Sequence, residues 1–145
     1  EPGTLLMPRD LAKFEQRMLQ TGFGAFIGTR LDHVEDGMCR VLLPYKAELS
    51  RGDELVHGGV ISALIDKAGT AAAWSYADIR SGARGATISL TVNYLEGANQ
   101  CDLIATATVS RRGGSITVVD VDVHSPDRRL IAKGLVTYKL KNGPA

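Results

Sequence analysis

The sequence predicts an α+β fold in which a curved antiparallel sheet wraps around one long central helix. Three observations carry that expectation. Between Gly58 and Tyr76 the only charged residues are Asp66 and Lys67, whereas a helix lying on a surface keeps a full polar face. Ala86, Ile88, Leu90, Val92 and Tyr94 alternate with Thr87, Ser89, Thr91 and Asn93, the period of two that belongs to a strand. The remaining strand-like segments are separated by short breaks, and strands joined by tight turns pair antiparallel.

The elements follow in order. Pro8 to Gln20 is expected to form a short amphipathic helix with Leu11, Phe14, Met18 and Leu19 on one face and Gly22 as its stop. Ala25 to His33 and Met38 to Pro44 read as strands around the turn residues Glu35-Asp36-Gly37, and Lys46 to Leu55 as a polar loop. The long helix spans about Gly58 to Ala77. Val60, Ile61, Ala63, Leu64, Ile65, Ala68, Ala71, Ala72 and Trp74 cover nearly its whole circumference, so it should be buried on most sides. Four strands complete an antiparallel meander. They are Ala86 to Tyr94, Cys101 to Arg111 ending at the hairpin signal Gly113-Gly114, Ser115 to His124, and Leu130 to Lys141 after the turn Ser125-Pro126-Asp127. Residues 1–145 read as one domain, with 1–22 as an N-terminal helical segment.

Composition narrows the function. The 145 residues are 44% hydrophobic and 23% charged with a net charge of +1, which gives no global field for nucleic acid. No apolar run is long enough to span a membrane and no signal peptide is visible, so the expected location is the cytoplasm. Cys39 and Cys101 lack metal or redox spacing and read as reduced thiols inside strands. His33 and His124 read as ordinary strand residues, and three scattered histidines predict no metal site.

Two features of the long helix point to chemistry. His57-Gly58-Gly59 stands at its start, where the first backbone N–H groups lack intrahelical partners and carry partial positive charge. Glycine lets a carbonyl approach that bare backbone, so the N–H of Gly58 or Gly59 is a candidate donor to a substrate carbonyl oxygen and its oxyanion. His57 either orients the loop or substrate through a ring nitrogen or caps the helix. Asp66 lies on a stripe with Ser62 and Thr70, spaced i, i+4, i+8 on an otherwise apolar helix. A carboxylate there, facing a cavity, either activates water as a general base or acts itself as the nucleophile. Arg111 and Arg112 precede the Gly113-Gly114 turn, and arginines beside free turn N–H groups suit phosphates.

The stretch Val56-His57-Gly58-Gly59-Val60-Ile61-Ser62-Ala63-Leu64-Ile65-Asp66 resembles the signature of the phenylacetate-degradation (PaaI-like) type of hotdog-fold acyl-coenzyme A thioesterases. Thr87-Ile88-Ser89-Leu90-Thr91-Val92-Asn93-Tyr94-Leu95 is similar to that family's strand after the helix, Arg111-Arg112-Gly113-Gly114 to its basic hairpin, and Ile131-Ala132-Lys133-Gly134 to its last strand. The resemblance covers about Gly24 to Leu140. It implies the hotdog fold and hydrolysis of an acyl-coenzyme A, with coenzyme A part of the substrate and no separate cofactor. It also implies that Thr87 is a hydroxyl near the carboxylate that helps place the water. One position departs: six residues before the motif histidine, relatives often carry an asparagine or glutamine that polarises the thioester, and this sequence has Arg51. Arginine is longer and always charged, so Arg51 is a candidate contact for a coenzyme A phosphate or a polar acyl group.

Tyr45, Trp74, Tyr76 and Tyr94 are candidates for lining an acyl pocket, with core places as the alternative. The competing functional readings are a hotdog module that binds acyl-coenzyme A without cleaving it and a hydratase or dehydratase. The first leaves Asp66 without a purpose; the second normally pairs a histidine and an acid in a pattern absent here. Geometry adds an expectation of self-association. Gly58 and Asp66 are separated by about 12 Å along one helix, too far to serve one thioester. A second copy running antiparallel brings its Asp66 beside the first copy's Gly58, which predicts sites shared between subunits of a homodimer, or of a homotetramer built from dimers.

Overall fold

The structure, a computed structural model, describes residues 10–145. Its first element, α1 (Leu11–Leu19), is capped by the Asp10 carboxylate, which accepts the Lys13 N–H at 3.0 Å. Phe14 and Met18 pack against the core and Leu19 is fully buried, but Leu11 is exposed. The expected start at Pro8 lies outside the described residues. Gly22 does not simply end this helix: with φ +53° it opens a second one, α2 (Gly22–Ile27). The expected strand from Ala25 is therefore corrected, and β1 begins only at Arg30 (Arg30–Glu35). Alternating apolar residues in Gly22-Phe-Gly-Ala-Phe-Ile mimic a strand. Tertiary bonds decide otherwise: the Thr29 hydroxyl donates to the carbonyls of Leu19 (2.7 Å) and Gly24 (3.2 Å), tying α2 back onto the end of α1.

A turn at Asp36-Gly37, with Gly37 at φ +82°, joins β1 to β2 (Met38–Leu43). The following loop contains a short 3₁₀ turn at Ala47–Leu49 and is closed by three backbone links: Arg51 N–H to Leu55 O (3.0 Å), the Ser50–Val56 bridge, and His57 N–H to Leu49 O (2.8 Å). This closure presents His57 at the start of α3 (Gly58–Ala73). The central helix stops four residues before the expected Ala77, because the Ser75 hydroxyl takes the Ala72 carbonyl at 2.6 Å and the Trp74 indole N–H turns to the Tyr138 hydroxyl at 2.8 Å. Ile61, Leu64, Ile65, Ala68, Gly69, Ala71, Ala72 and Ala73 are buried, as the all-round apolar pattern requires.

The strands β3 (Arg84–Tyr94), β4 (Leu103–Arg112), β5 (Ile116–His124) and β6 (Leu130–Lys141) join β1 and β2 in one antiparallel sheet of order β1-β2-β4-β5-β6-β3. The expected meander holds for β4-β5-β6 but not for β3, which pairs with β6 at the far edge instead of with β4. The Leu95–Asp102 connection makes the switch by crossing the start of α3: Leu95 N–H bonds Ile131 O, and Ala98 O accepts the Val56 N–H. Val41, Leu43, Ala105, Ala107, Val119, Val121 and Val123 close the sheet over the helix. At β6 the contact is tight, since a Cβ on Gly134 would lie 2.5 Å from Ile65 and one on Gly69 2.7 Å from Val136. Cys39 is buried in β2, whereas Cys101 sits just ahead of β4 and not inside it; neither is in a disulfide. Among the described residues no helix is long and apolar enough to cross a membrane, and no group of three or more His, Cys, Asp or Glu is placed to hold a metal.

Candidate active site

The first turn of α3 presents four N–H groups, those of residues 58–61, without a partner inside the helix. His57 takes three of them. Its Nδ1 accepts the Gly59 N–H at 2.7 Å, and its carbonyl accepts the Val60 N–H at 3.0 Å and the Ile61 N–H at 3.2 Å. Of the two roles open to His57, the structure places it as the cap. Among the described residues none accepts from the Gly58 N–H. Gly58 is thus the free donor and Gly59 the capped one.

Gly58 lines a cleft of about 370 Å³ together with Arg51, Leu55, Val56, Ile61 and Tyr94. The Tyr94 hydroxyl donates to the Gly58 carbonyl at 3.0 Å and meets the Ser62 hydroxyl in a short hydrogen bond. A Cβ on Gly58 would come within 3.3 Å of the Tyr94 ring. Arg51 is at the cleft, but its Nε is held by the Asp53 carboxylate at 3.0 and 3.1 Å. The Leu55 N–H and Arg51 hold the Asp53 carboxyl below the usual carboxylate range.

Two turns along the helix, Asp66 is half-buried and its Oδ1 accepts the Thr87 hydroxyl at 2.7 Å. Lys67 next to it makes no ion pair with Asp66 in the structure. Its stem packs against Gly24, and burial lowers its pKa, partly opposed by the Asp66 charge.

Thr87 reaches Asp66 through a local irregularity that no alternation rule signals. Across the β3–β6 pair, Leu90, Val92 and Tyr94 stand opposite Val136, Gly134 and Ala132, and Thr87 stands opposite Tyr138, while Ile88 is skipped. Val136, Gly134 and Tyr138 face the helix. The extra residue at Ile88 is a β-bulge, and a one-residue slip exchanges faces. Thr87 therefore joins the helix-facing row, from which strict alternation would exclude it.

The basic hairpin divides. The Arg112 guanidinium grips Asp78 through two bonds (2.7 and 3.1 Å) and lies 3.8 Å over the Tyr76 ring. The Gly113 N–H closes the turn onto Ile116 O at 2.8 Å. Both groups are thus engaged within the protein, Arg112 by Asp78 and Tyr76 and Gly113 by its own turn. Arg111 lines a groove of about 500 Å³ with Gly113, Gly114 and Ser115. Asp78 and Tyr76 follow the C-terminus of α3, so the hairpin and Gly58 lie at opposite ends of the helix. Of the four aromatic candidates only Tyr94 borders the Gly58 cleft: Trp74 and Tyr76 line a groove against α1, and Tyr45 one beside Thr29.

Residues 54–132 match the Thioesterase superfamily. A protein of Halobacterium salinarum assigned as an esterase is 38% identical over 108 residues, 72% of this chain and 71% of its own length. A similarly assigned protein of Saccharolobus solfataricus is 30% identical over 113 residues, 78% and 79% of the two chains. Among solved structures, a thioesterase from Haemophilus influenzae superposes with a TM-score of 0.83 at 18% identity, covering 94% of this chain and 93% of that one. The PaaI protein of the E. coli phenylacetic acid degradation operon gives 0.79 at 20% identity, covering 92% and 94%. A curved six-stranded antiparallel sheet around a central helix, with these relatives, defines the hotdog fold. The chain belongs to the Thioesterase superfamily.

Proposed function

We propose that the chain is an acyl-coenzyme A thioesterase of the PaaI-like type, acting through sites shared between two copies. The observation that carries this reading is the free Gly58 N–H at the mouth of an apolar cleft, on the same helix as an Asp66 carboxylate held by Thr87. The Gly58 N–H, at the positive end of α3, receives the thioester oxygen and stabilises the oxyanion. Asp66 of the other copy acts as general base. With Oδ1 held by Thr87, its second oxygen takes a proton from water, whose oxygen bonds the thioester carbon. Collapse of the tetrahedral intermediate breaks the C–S bond; the proton held by Asp66 passes to the leaving sulfur, so that coenzyme A leaves as the thiol, the acyl group leaves as the acid and the carboxylate is regenerated.

Sharing follows from distance, since about 12 Å of helix separates the two groups in one chain. A partner for the site is supported by β3, an edge strand of 11 residues on which Ile88 (55% exposed), Leu90 (38%) and Tyr94 (53%) stand open to solvent. A long apolar edge invites pairing with another chain. A two-fold pairing along β3 also brings each copy's hairpin toward its partner's Gly58. Arg111 then contacts the coenzyme A phosphates, and Arg51 meets a polar group of the substrate.

A hydrolysis screen over short, medium, long and aryl acyl-coenzyme A esters tests the reading. Turnover of at least one class is expected, and Asp66→Asn should lower it by at least about 100-fold, the size of a general-base effect, while ligand binding persists. Near-normal turnover in Asp66→Asn removes that residue from the mechanism. Binding with no turnover of any ester points instead to an acyl-coenzyme A-binding module.

A further inference from the structure

We propose that Tyr94 is a positioning residue for the oxyanion-binding turn, working with Ser62; this rests on the Gly58 role proposed above. A helix that begins with two glycines is conformationally loose, because neither residue restricts its own backbone. Three contacts hold this one. His57 Nδ1 fixes the Gly59 N–H at 2.7 Å. The Tyr94 hydroxyl donates to the Gly58 carbonyl at 3.0 Å. The Ser62 hydroxyl, one turn further on, meets the Tyr94 oxygen. Tyr94 has a single hydroxyl proton; with that proton on the Gly58 carbonyl, Ser62 is the donor to Tyr94. The relay then runs from Ser62 through Tyr94 to Gly58.

The ring adds a second restraint, since it lies over the Gly58 Cα closely enough that a Cβ there would be 3.3 Å from it. Tyr94 therefore clamps Gly58 from the side of β3, while His57 clamps Gly59 from the loop. The Gly58 N–H stays unbonded and keeps a fixed aim into the cleft that Tyr94 also lines. A donor already aimed at the developing charge costs no reorganisation during the reaction, which is where such a restraint affects rate. Binding of the acyl-coenzyme A as a whole depends little on it.

Tyr94→Phe removes the hydroxyl and keeps the ring. Measured in the assembled protein at matched oligomer size, it should lower kcat about tenfold, the order expected for one lost hydrogen bond, with KM within about twofold. Ser62→Ala should give a smaller loss, and the double variant should fall no further than Tyr94→Phe, because the two hydroxyls form one chain. Amide hydrogen exchange supplies a second readout: in Tyr94→Phe the amides of residues 58–62 should exchange several-fold faster while those of residues 64–73 are unchanged. An active enzyme whose kcat survives Tyr94→Phe, or whose two variants multiply independently, overturns the proposal. If the unmodified protein hydrolyses no thioester, it is the functional reading that fails; unchanged exchange at residues 58–62 would then overturn the clamp as well.

Discussion

His57 and Thr87 each act on a neighbour's geometry. The His57 ring engages the Gly59 N–H, and by doing so singles out Gly58 as the donor. The Thr87 hydroxyl occupies one oxygen of Asp66 and fixes the plane of the carboxylate. Thr87→Val keeps the shape and deletes that bond. It should lower kcat about tenfold with little change in KM, and Thr87→Ser should recover much of the loss; steady-state kinetics on one ester decides it. A valine variant as active as the unmodified protein would separate Thr87 from the reaction. Gly58 and Asp66 stand out in the sequence as candidates because each breaks a local expectation: glycines where a helix begins, and a carboxylate on an apolar face. The Tyr94–Ser62 contact was not, because it joins residues 32 apart whose meeting depends on how a distant strand lies against the helix.

At the level of elements, the long helix was readable in type and nearly in length, since an all-round apolar stretch has few other solutions. Its last turn was lost to Ser75, a side-chain competitor for backbone carbonyls. The β3 bulge was hidden, because an inserted residue leaves the composition of a strand unchanged while reversing which face its first part shows. The hairpin had the expected turn but unequal arginines. Arg111→Ala should raise KM for coenzyme A esters several-fold and leave a truncated thioester without the nucleotide unaffected. Arg112→Ala loses the Asp78 bonds and the Tyr76 stacking, so both substrates should respond alike, through a looser end of α3. Equal losses on the two substrates in Arg111→Ala would remove the hairpin from nucleotide binding.

For the whole molecule, the antiparallel sheet around a helix followed from the sequence, but the strand order did not. Pairing β3 with β6 depends on the path of Leu95–Asp102, and no local pattern encodes that path. Its consequence is large. β3 becomes an 11-residue open edge beside the helix that carries both Gly58 and Asp66, the side on which the proposed second copy would complete the site. Mixing two inactive chains tests this most directly. One carries Asp66→Ala. The other carries Gly58→Pro, which deletes the N–H at a first helical position where proline is tolerated; His57 at ψ 135° already has the backbone that precedes a proline. A Cβ at Gly58 needs only a few tenths of an ångström from Tyr94, whose edge lies 3.3 Å from that position. Each chain alone should be inactive. After subunit exchange, the mixture should regain activity through one intact hybrid site per heterodimer; folded, exchanging chains whose mixture stays inactive would contradict a shared site.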